Sequence, residues 1–292
     1  YDLTLIAQKR QFSRCESVTG HASHKLSTSN YQKGNKMTTP KVQTLQRSGS
    51  RFYIEPTTGE KQPGVTSILN MLPKPFLTYW SAKMVAEAAY DNLGAVVNLA
   101  INNERQAAVD MLKAAPRRFT SGRATIGTDA HSVFEAMIKN EKPRITPDTE
   151  GHAKQFGAWL DEFQPTLLMA EETVWSDTYG YAGSFDAICE VGGETVIIDY
   201  KTSKSAYESV ALQLAAYRFA DHIVRADGNK VPIPKITAGA VLHIREDTHD
   251  FYPFKCDEEV FKTFVALREF VYEWEQVISK TVKGKPLAPL FK

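Results

Sequence analysis

The chain has 292 residues, with 35 Lys and Arg against 34 Asp and Glu, 42% hydrophobic residues and three cysteines. These values exclude a staple-dependent mini-protein and favour one main globular domain over a many-domain assembly. No stretch approaches eighteen consecutive apolar residues, and the start shows no basic region followed by an apolar run and a cleavage site. We therefore expect a cytoplasmic protein with no membrane association.

The first fifty residues differ from the rest in composition. Residues 1–50 hold 8 basic and 2 acidic residues and are rich in Ser, Thr, Gln and Asn, so we expect this segment to be flexible. Met37 opens a run that reads like a natural start, and one hypothesis is that residues 1–36 are a basic tail of non-native origin. The alternative is a basic arm that follows nucleic-acid phosphates.

The predicted elements then follow in chain order. A mainly helical region over residues 37–118 begins with a short strand at 51–54 and continues with helices at 67–69, 77–89 and 95–115. Beyond it, helices are predicted at 126–139 and 152–163, strands at 172–175, 184–191 and 195–200, a helix at 205–224, strands at 237–245 and 250–254, and a closing helix at 258–282. The expected fold class is therefore α/β.

The most informative segment is a predicted β-hairpin around the glycine pair 192–193. Two glycines supply the positive φ angles that a two-residue turn requires. The register that this turn imposes sets Asp186 opposite Asp199 on one face, and Lys201 projects from the same face. Facing carboxylates repel each other, and a divalent cation would reverse the sign of that interaction. The hairpin by itself leaves open the alternative that these three charged side chains are simply solvated on an exposed face of the sheet.

Four short motifs follow one another over about residues 120–220. They are Gly127-Thr128-x-x-His131, Gly183-x-x-Asp186, Asp199-Tyr200-Lys201-Thr202 and Gln213-x-x-x-Tyr217. With these motifs in this order the chain resembles the PD-(D/E)XK nuclease superfamily, and in particular its RecB-like branch of CRISPR-associated and phage exonucleases. The resemblance implies a restriction-endonuclease-like core over residues 119–292, in which helices flank a mixed central β-sheet, and an additional helical N-terminal region.

The resemblance also implies a metal site. His131, Asp186, Asp199 and the backbone carbonyl of Tyr200 would bind Mg²⁺ or Mn²⁺, and a histidine ligand favours Mn²⁺. Lys201 would be the catalytic lysine that positions or activates the attacking water and stabilises charge on the phosphate. Without the resemblance, a histidine at the edge of an apolar stripe is more simply a packed polar residue.

Further residues are candidates for contact with DNA. By the resemblance, Gln213 and Tyr217 would line the DNA channel, although a Tyr in an Ala-rich helix is otherwise more often part of the core. Arg123 is expected to contact phosphates, which positions a nucleic acid without reading its sequence. Lys204 is either a phosphate contact or a surface charge, and Glu172 either reaches the metal region or is a solvated strand-end residue.

The function implied is a metal-dependent deoxyribonuclease, and we expect an exonuclease that leaves 5′-phosphates. The setting implied is phage DNA recombination, repair or replication in the bacterial host cytoplasm, beside a single-strand annealing or recombination protein. The alternatives are a structure-selective endonuclease and a non-catalytic DNA-binding accessory subunit. Some members of this branch hold an iron–sulfur cluster with four cysteines, but Cys15, Cys189 and Cys256 do not fit that pattern, so no cluster is predicted.

Overall fold

A computed structural model describes residues 41–47 and 49–286 of the chain. The hypotheses on residues 1–36, and with them Cys15, lie outside this part. No helix within the described ranges is both long enough and apolar enough to cross a membrane.

Twelve strands and nine α-helices occur in the described ranges. The strands are β1 (Thr44–Arg47), β2 (Ser50–Ile54), β3 (Lys61–Pro63), β4 (Thr166–Ala170), β5 (Thr173–Ser176), β6 (Tyr181–Ser184), β7 (Ala187–Val191), β8 (Glu194–Lys201), β9 (His222–Val224), β10 (Lys230–Val231), β11 (Ala238–Ile244) and β12 (His249–Phe254). The helices are α1 (Val65–Leu69), α2 (Phe76–Asp91), α3 (Leu93–Ile101), α4 (Arg105–Lys113), α5 (Ala115–Ile138), α6 (Glu150–Phe163), α7 (Val210–Arg218), α8 (Glu258–Ala266) and α9 (Glu273–Gln276).

The strands form three sheets, of which the central one carries the core. Its five strands follow the order β12-β11-β8-β7-β4, and it is mixed because β11 runs parallel to β8 while the other neighbours are antiparallel. The other two sheets are antiparallel, with the orders β1-β2-β3 and β10-β9-β5-β6. Helices flank the central sheet on both faces, which confirms the expected α/β class and is consistent with a restriction-endonuclease-like core.

Strand β8 is buried on both faces because its apolar side chains alternate between two clusters. Val196 and Ile198 pack with residues of α5 and α6, whereas Ile197 packs on the opposite face with residues of α7. The predicted hairpin register is confirmed, since Val191 pairs with Glu194 and Ala187 pairs with Ile198. Strand β7 begins only at Ala187, so position 186 lies at a bend just before the ladder.

Several predictions of local structure were wrong, including the single helix predicted at 95–115, which the structure divides among α3, α4 and the start of α5. Residues 41–50 are not all flexible, because β1 pairs with β2 and Val42 is buried. The helix predicted at 205–224 ends at Arg218, and β9 follows because Ile223 and Val224 are buried in a strand that pairs with β5. The closing helix is interrupted by a π-helical segment, Leu267–Tyr272.

Gly183, the first residue of one motif, is required by close packing behind β6. A Cβ atom at this position would lie 2.6 Å from Cε1 of Tyr217 and 3.1 Å from Cγ2 of Val65. We expect Gly183→Ala to lower the free energy of unfolding by about 1–3 kcal/mol, because a well-packed core must shift to admit the methyl group. Urea denaturation measures this difference. Gly94→Ala in α3 is the matched control, since a Cβ there meets nothing within 4 Å and alanine favours a helix. Equal stability of the two variants would contradict the packing argument.

Candidate active site

The candidate residues meet where β8 ends, between two helices on opposite faces of the central sheet. Helix α5 brings His131, whose ring centroid lies 6.0 Å from that of Tyr200 in β8. Helix α7 brings Gln213, which contacts Asp199 of β8. The ring of Tyr200 packs edge-on against Phe134 and Phe156, and this packing fixes the last residues of the strand and the backbone carbonyl that is an expected metal ligand.

His131 and Asp186 form one pair. Nδ1 of His131 lies 3.2 Å from Oδ1 of Asp186, and Oδ2 of Asp186 accepts a hydrogen bond of 2.6 Å from the backbone N–H of Tyr200. Burial alone would raise the pKa of Asp186, but the attraction and hydrogen bond of His131, the charge of Lys201 and the N–H of Tyr200 together outweigh it and lower the pKa. Burial would likewise lower the pKa of His131, but attraction to Asp186 and Asp199, together with the hydrogen bond to Asp186, outweighs it and raises the pKa. Asp186 is therefore held as a carboxylate.

Asp199 and Lys201 form a second pair deeper in the site. Nζ of Lys201 lies 2.6 Å from Oδ2 of Asp199, whose side chain is 4% exposed. Burial, together with repulsion by Asp186, raises the pKa of Asp199 in spite of the lysine. Burial opposes the charge on Lys201, but attraction to both carboxylates outweighs it and raises the pKa of the ammonium. Lys201 therefore keeps its proton at neutral pH.

That Gln213 and Tyr217 line a DNA channel, as the resemblance implies, stays a prediction. Both side chains are buried. The Gln213 amide donates hydrogen bonds to Oδ1 of Asp199, at 2.7 Å, and to the Tyr217 hydroxyl, at 3.1 Å. Because Tyr217 is enclosed by the core behind Gly183, these two residues orient Asp199 from the protein side.

Glu171, which no sequence motif indicates, joins His131 and Asp186. One donor atom from each of these three residues lies within 4.8 Å of the other two. Glu171 lies between β4 and β5 with a positive φ of 57°, and its backbone N–H donates to the carbonyl of Asp186 at 3.1 Å. A positive φ at a non-glycine residue costs on the order of 1–3 kcal/mol and is typical of functional sites. Glu172, the neighbouring candidate from the sequence, instead has its Oε1 at 3.2 Å from Nε of Arg225.

Lys41, from the segment before β1, contacts Glu171 directly. Its Nζ lies 2.7 Å from Oε2 of Glu171 and 3.5 Å from Oε2 of Glu135, which is four residues after His131 on α5. Burial opposes the charge on Lys41, but attraction to Glu171 and Glu135 outweighs it and raises the pKa of the lysine. An ammonium group thus balances the acidic side of the cluster.

The donor set fits a divalent cation. An imidazole nitrogen and two carboxylates suit Mn²⁺, whereas Mg²⁺ prefers oxygen ligands alone. Asp199 stands outside this group of three, because its oxygens contact Lys201 and Gln213.

The two cationic candidates, Arg123 and Lys204, are both exposed. Lys204 follows the end of β8. Arg123 lies on α5 with its guanidinium 5.2 Å from the ring centroid of Phe119.

Comparison with known proteins supports part of this description. Residues 174–289 match the profile of the PD-(D/E)XK nuclease superfamily. The match spans less than half of the chain; it includes Asp186, Asp199 and Lys201 but neither His131 nor Glu171. No curated protein matches the sequence significantly. Among solved structures, the crystal structure of SSO0001 aligns with 73% of this chain and 100% of its own, at 14% identity and a TM-score of 0.27, a similarity that adds nothing to the assignment.

Proposed function

We propose that this protein is a metal-dependent DNA nuclease that hydrolyses phosphodiester bonds and leaves 5′-phosphates. One observation carries the proposal: a metal-binding donor set, His131, Glu171 and Asp186, lies beside an ammonium group paired with a buried carboxylate, Lys201 with Asp199. The match to the PD-(D/E)XK nuclease superfamily over residues 174–289 supports the same class of reaction.

Each residue then has a definite role. His131, Asp186 and Glu171 would hold the cation, and Asp199 and the Tyr200 carbonyl would complete its surroundings. A divalent cation bound there supplies Lewis-acid stabilisation of the phosphate and lowers the pKa of a bound water.

Lys201 acts as an ammonium, because its pKa is raised. It orients the attacking water and stabilises charge on the scissile phosphate, and it does not accept a proton. Gln213 keeps Asp199 oriented through its hydrogen bond.

The finer assignments rest on the resemblance of the motifs to the RecB-like branch. They are exonuclease action, a role in phage DNA recombination, repair or replication, and a recombination or single-strand annealing protein as partner. A structure-selective endonuclease is the second candidate. A non-catalytic accessory subunit is disfavoured, because it has no need of a buried and a partly buried carboxylate whose pKa values are shifted in opposite directions.

Incubation with linear and circular DNA tests the proposal. In Mg²⁺ or Mn²⁺ we expect linear single- or double-stranded DNA to be degraded to products with 5′-phosphates. Closed single-stranded circles should stay intact, and EDTA should stop the degradation of linear DNA. The measurement is gel analysis with end-labelled substrates. Cleavage of the circles would establish the endonuclease instead, and failure to cleave any substrate with either metal would reject nuclease activity.

A further inference from the structure

Two aromatic rings, one of them in the segment that follows β8, stack on the surface. The rings of Phe76 and Tyr207 have centroids 6.0 Å apart and planes inclined by only 15°. The residues stay 50% and 48% exposed, so the pair presents ring surface to solvent. Tyr207 lies six residues after Lys201, in the segment that follows β8, and Phe76 is the first residue of α2.

The aromatic surface continues along α2 to α5. Trp80, four residues after Phe76 on α2, has its ring centroid 5.8 Å from that of Phe119 on α5. The guanidinium of Arg123 lies over the same Phe119 ring. We call these residues the aromatic strip, which consists of Tyr207, Phe76, Trp80, Phe119 and Arg123.

The strip leads towards the metal-binding donor set. Phe119, Arg123, Gly127 and His131 are each four residues apart on α5, and such residues form one ridge of a helix. From Phe119 to His131 this ridge rises by about 18 Å. At Gly127 it passes so close to the end of β8 that a Cβ would lie 3.2 Å from Oγ1 of Thr202. The ridge therefore connects the exposed rings with the candidate active site.

The segments that form this surface are basic. Residues 72–86, 115–127 and 202–207 together contain six Lys and Arg and no Asp or Glu, whereas the whole chain is balanced at 35 against 34. One of the six, Lys83, pairs with Glu87 just beyond the first segment. Such a local excess of positive charge attracts phosphates.

Resting on the proposed nuclease function, we propose that the aromatic strip binds single-stranded DNA and guides it along α5 to the metal site. Bases stack on Phe76 and Tyr207, and Arg123 neutralises a backbone phosphate. Stacking platforms within a basic groove bind single strands because every base offers a π-face, whereas paired bases in a duplex are already stacked. The site then takes a single-stranded end as its substrate.

Binding measured without cleavage tests this inference. In EDTA, fluorescence anisotropy is followed with an oligothymidylate of about 20 nucleotides, an abasic oligomer of the same length and a duplex. We expect Phe76→Ala and Tyr207→Ala each to weaken binding of the oligothymidylate by about 5- to 150-fold, the range for one stacked base. The affinity of these two variants for the abasic oligomer and for the duplex should stay within about twofold of the parent's. Arg123→Ala should weaken both oligomers and reduce the salt dependence by about one phosphate contact.

Matched variants separate stacking from loss of structure. Tyr207→Phe keeps the ring and should bind like the parent. Tyr90→Ala removes an 83% exposed ring near the far end of α2 and should also leave binding unchanged. The inference would be overturned if Phe76→Ala and Tyr207→Ala weakened binding of the abasic oligomer as much as binding of the oligothymidylate. It would also be overturned if Tyr90→Ala weakened binding of the oligothymidylate equally, or if Phe76→Ala and Tyr207→Ala bound it like the parent. Because cleavage plays no part in this assay, failure of the inference leaves the nuclease proposal standing, and failure of the cleavage assay does not decide the binding result.

Discussion

Replacing Lys201 with alanine is expected to slow DNA cleavage by about 10²- to 10³-fold, the usual effect of removing one preorganised electrostatic group from an active site. The ammonium lies 2.6 Å from Oδ2 of Asp199 and keeps its proton because both nearby carboxylates attract it. Its loss removes the positive charge that is paired with the buried Asp199 at the end of β8. Single-turnover cleavage of labelled linear DNA in Mn²⁺ measures the effect.

The fold of this variant should survive. In the parent, the pKa of the buried Asp199 is raised even though Lys201 lies beside it. Once the lysine is removed, Asp199 is therefore expected to take up a proton, which avoids the larger cost of an unpaired buried charge. Lys235→Ala, which removes an exposed lysine between β10 and β11, is the matched control and should cleave like the parent. Asp199→Ala should lose cleavage as Lys201→Ala does. A parental rate in either active-site variant, with an unchanged circular dichroism spectrum, would falsify the assignment of the site.

The hairpin could be predicted from the sequence because its geometry is local. A two-residue turn sets the register, and the period of two in a strand puts Asp199 and Lys201 on one face. The apolar run before Asp199 also indicates a strand buried on both faces. Only the bend at Asp186, just before β7, departs from the expected ladder.

Glu171 and Lys41 could not be predicted in the same way. Glu171 enters the cluster through a left-handed backbone conformation between β4 and β5, and a period-two pattern contains no sign of it. Lys41 reaches Glu171 across 130 residues of sequence, a contact that depends on the whole fold. Helix α7 ends early for a similar reason, because pairing with β5 outweighs the helical pattern beyond Arg218.

Addition of Mn²⁺ is expected to stabilise the protein, and Glu171→Gln should remove most of that effect. A ligand at 100 times its Kd adds about 2.7 kcal/mol to the free energy of unfolding. In a domain of this size each kcal/mol raises Tm by about 2–4 °C, so a shift of several degrees is expected for the parent. Thermal denaturation in EDTA and in increasing Mn²⁺ measures it.

The adjacent residue supplies the control for this prediction. Glu172→Gln carries the same chemical change one position along the chain, but its side chain lies beside Arg225 and away from His131 and Asp186. It should therefore keep the full metal-dependent shift, whereas Asp186→Asn should lose it with Glu171→Gln. An equal shift in Glu171→Gln and Glu172→Gln would show that the positive φ at position 171 does not serve metal binding, and the cation would then depend on His131, Asp186 and Asp199, the side chains implied by the sequence motifs.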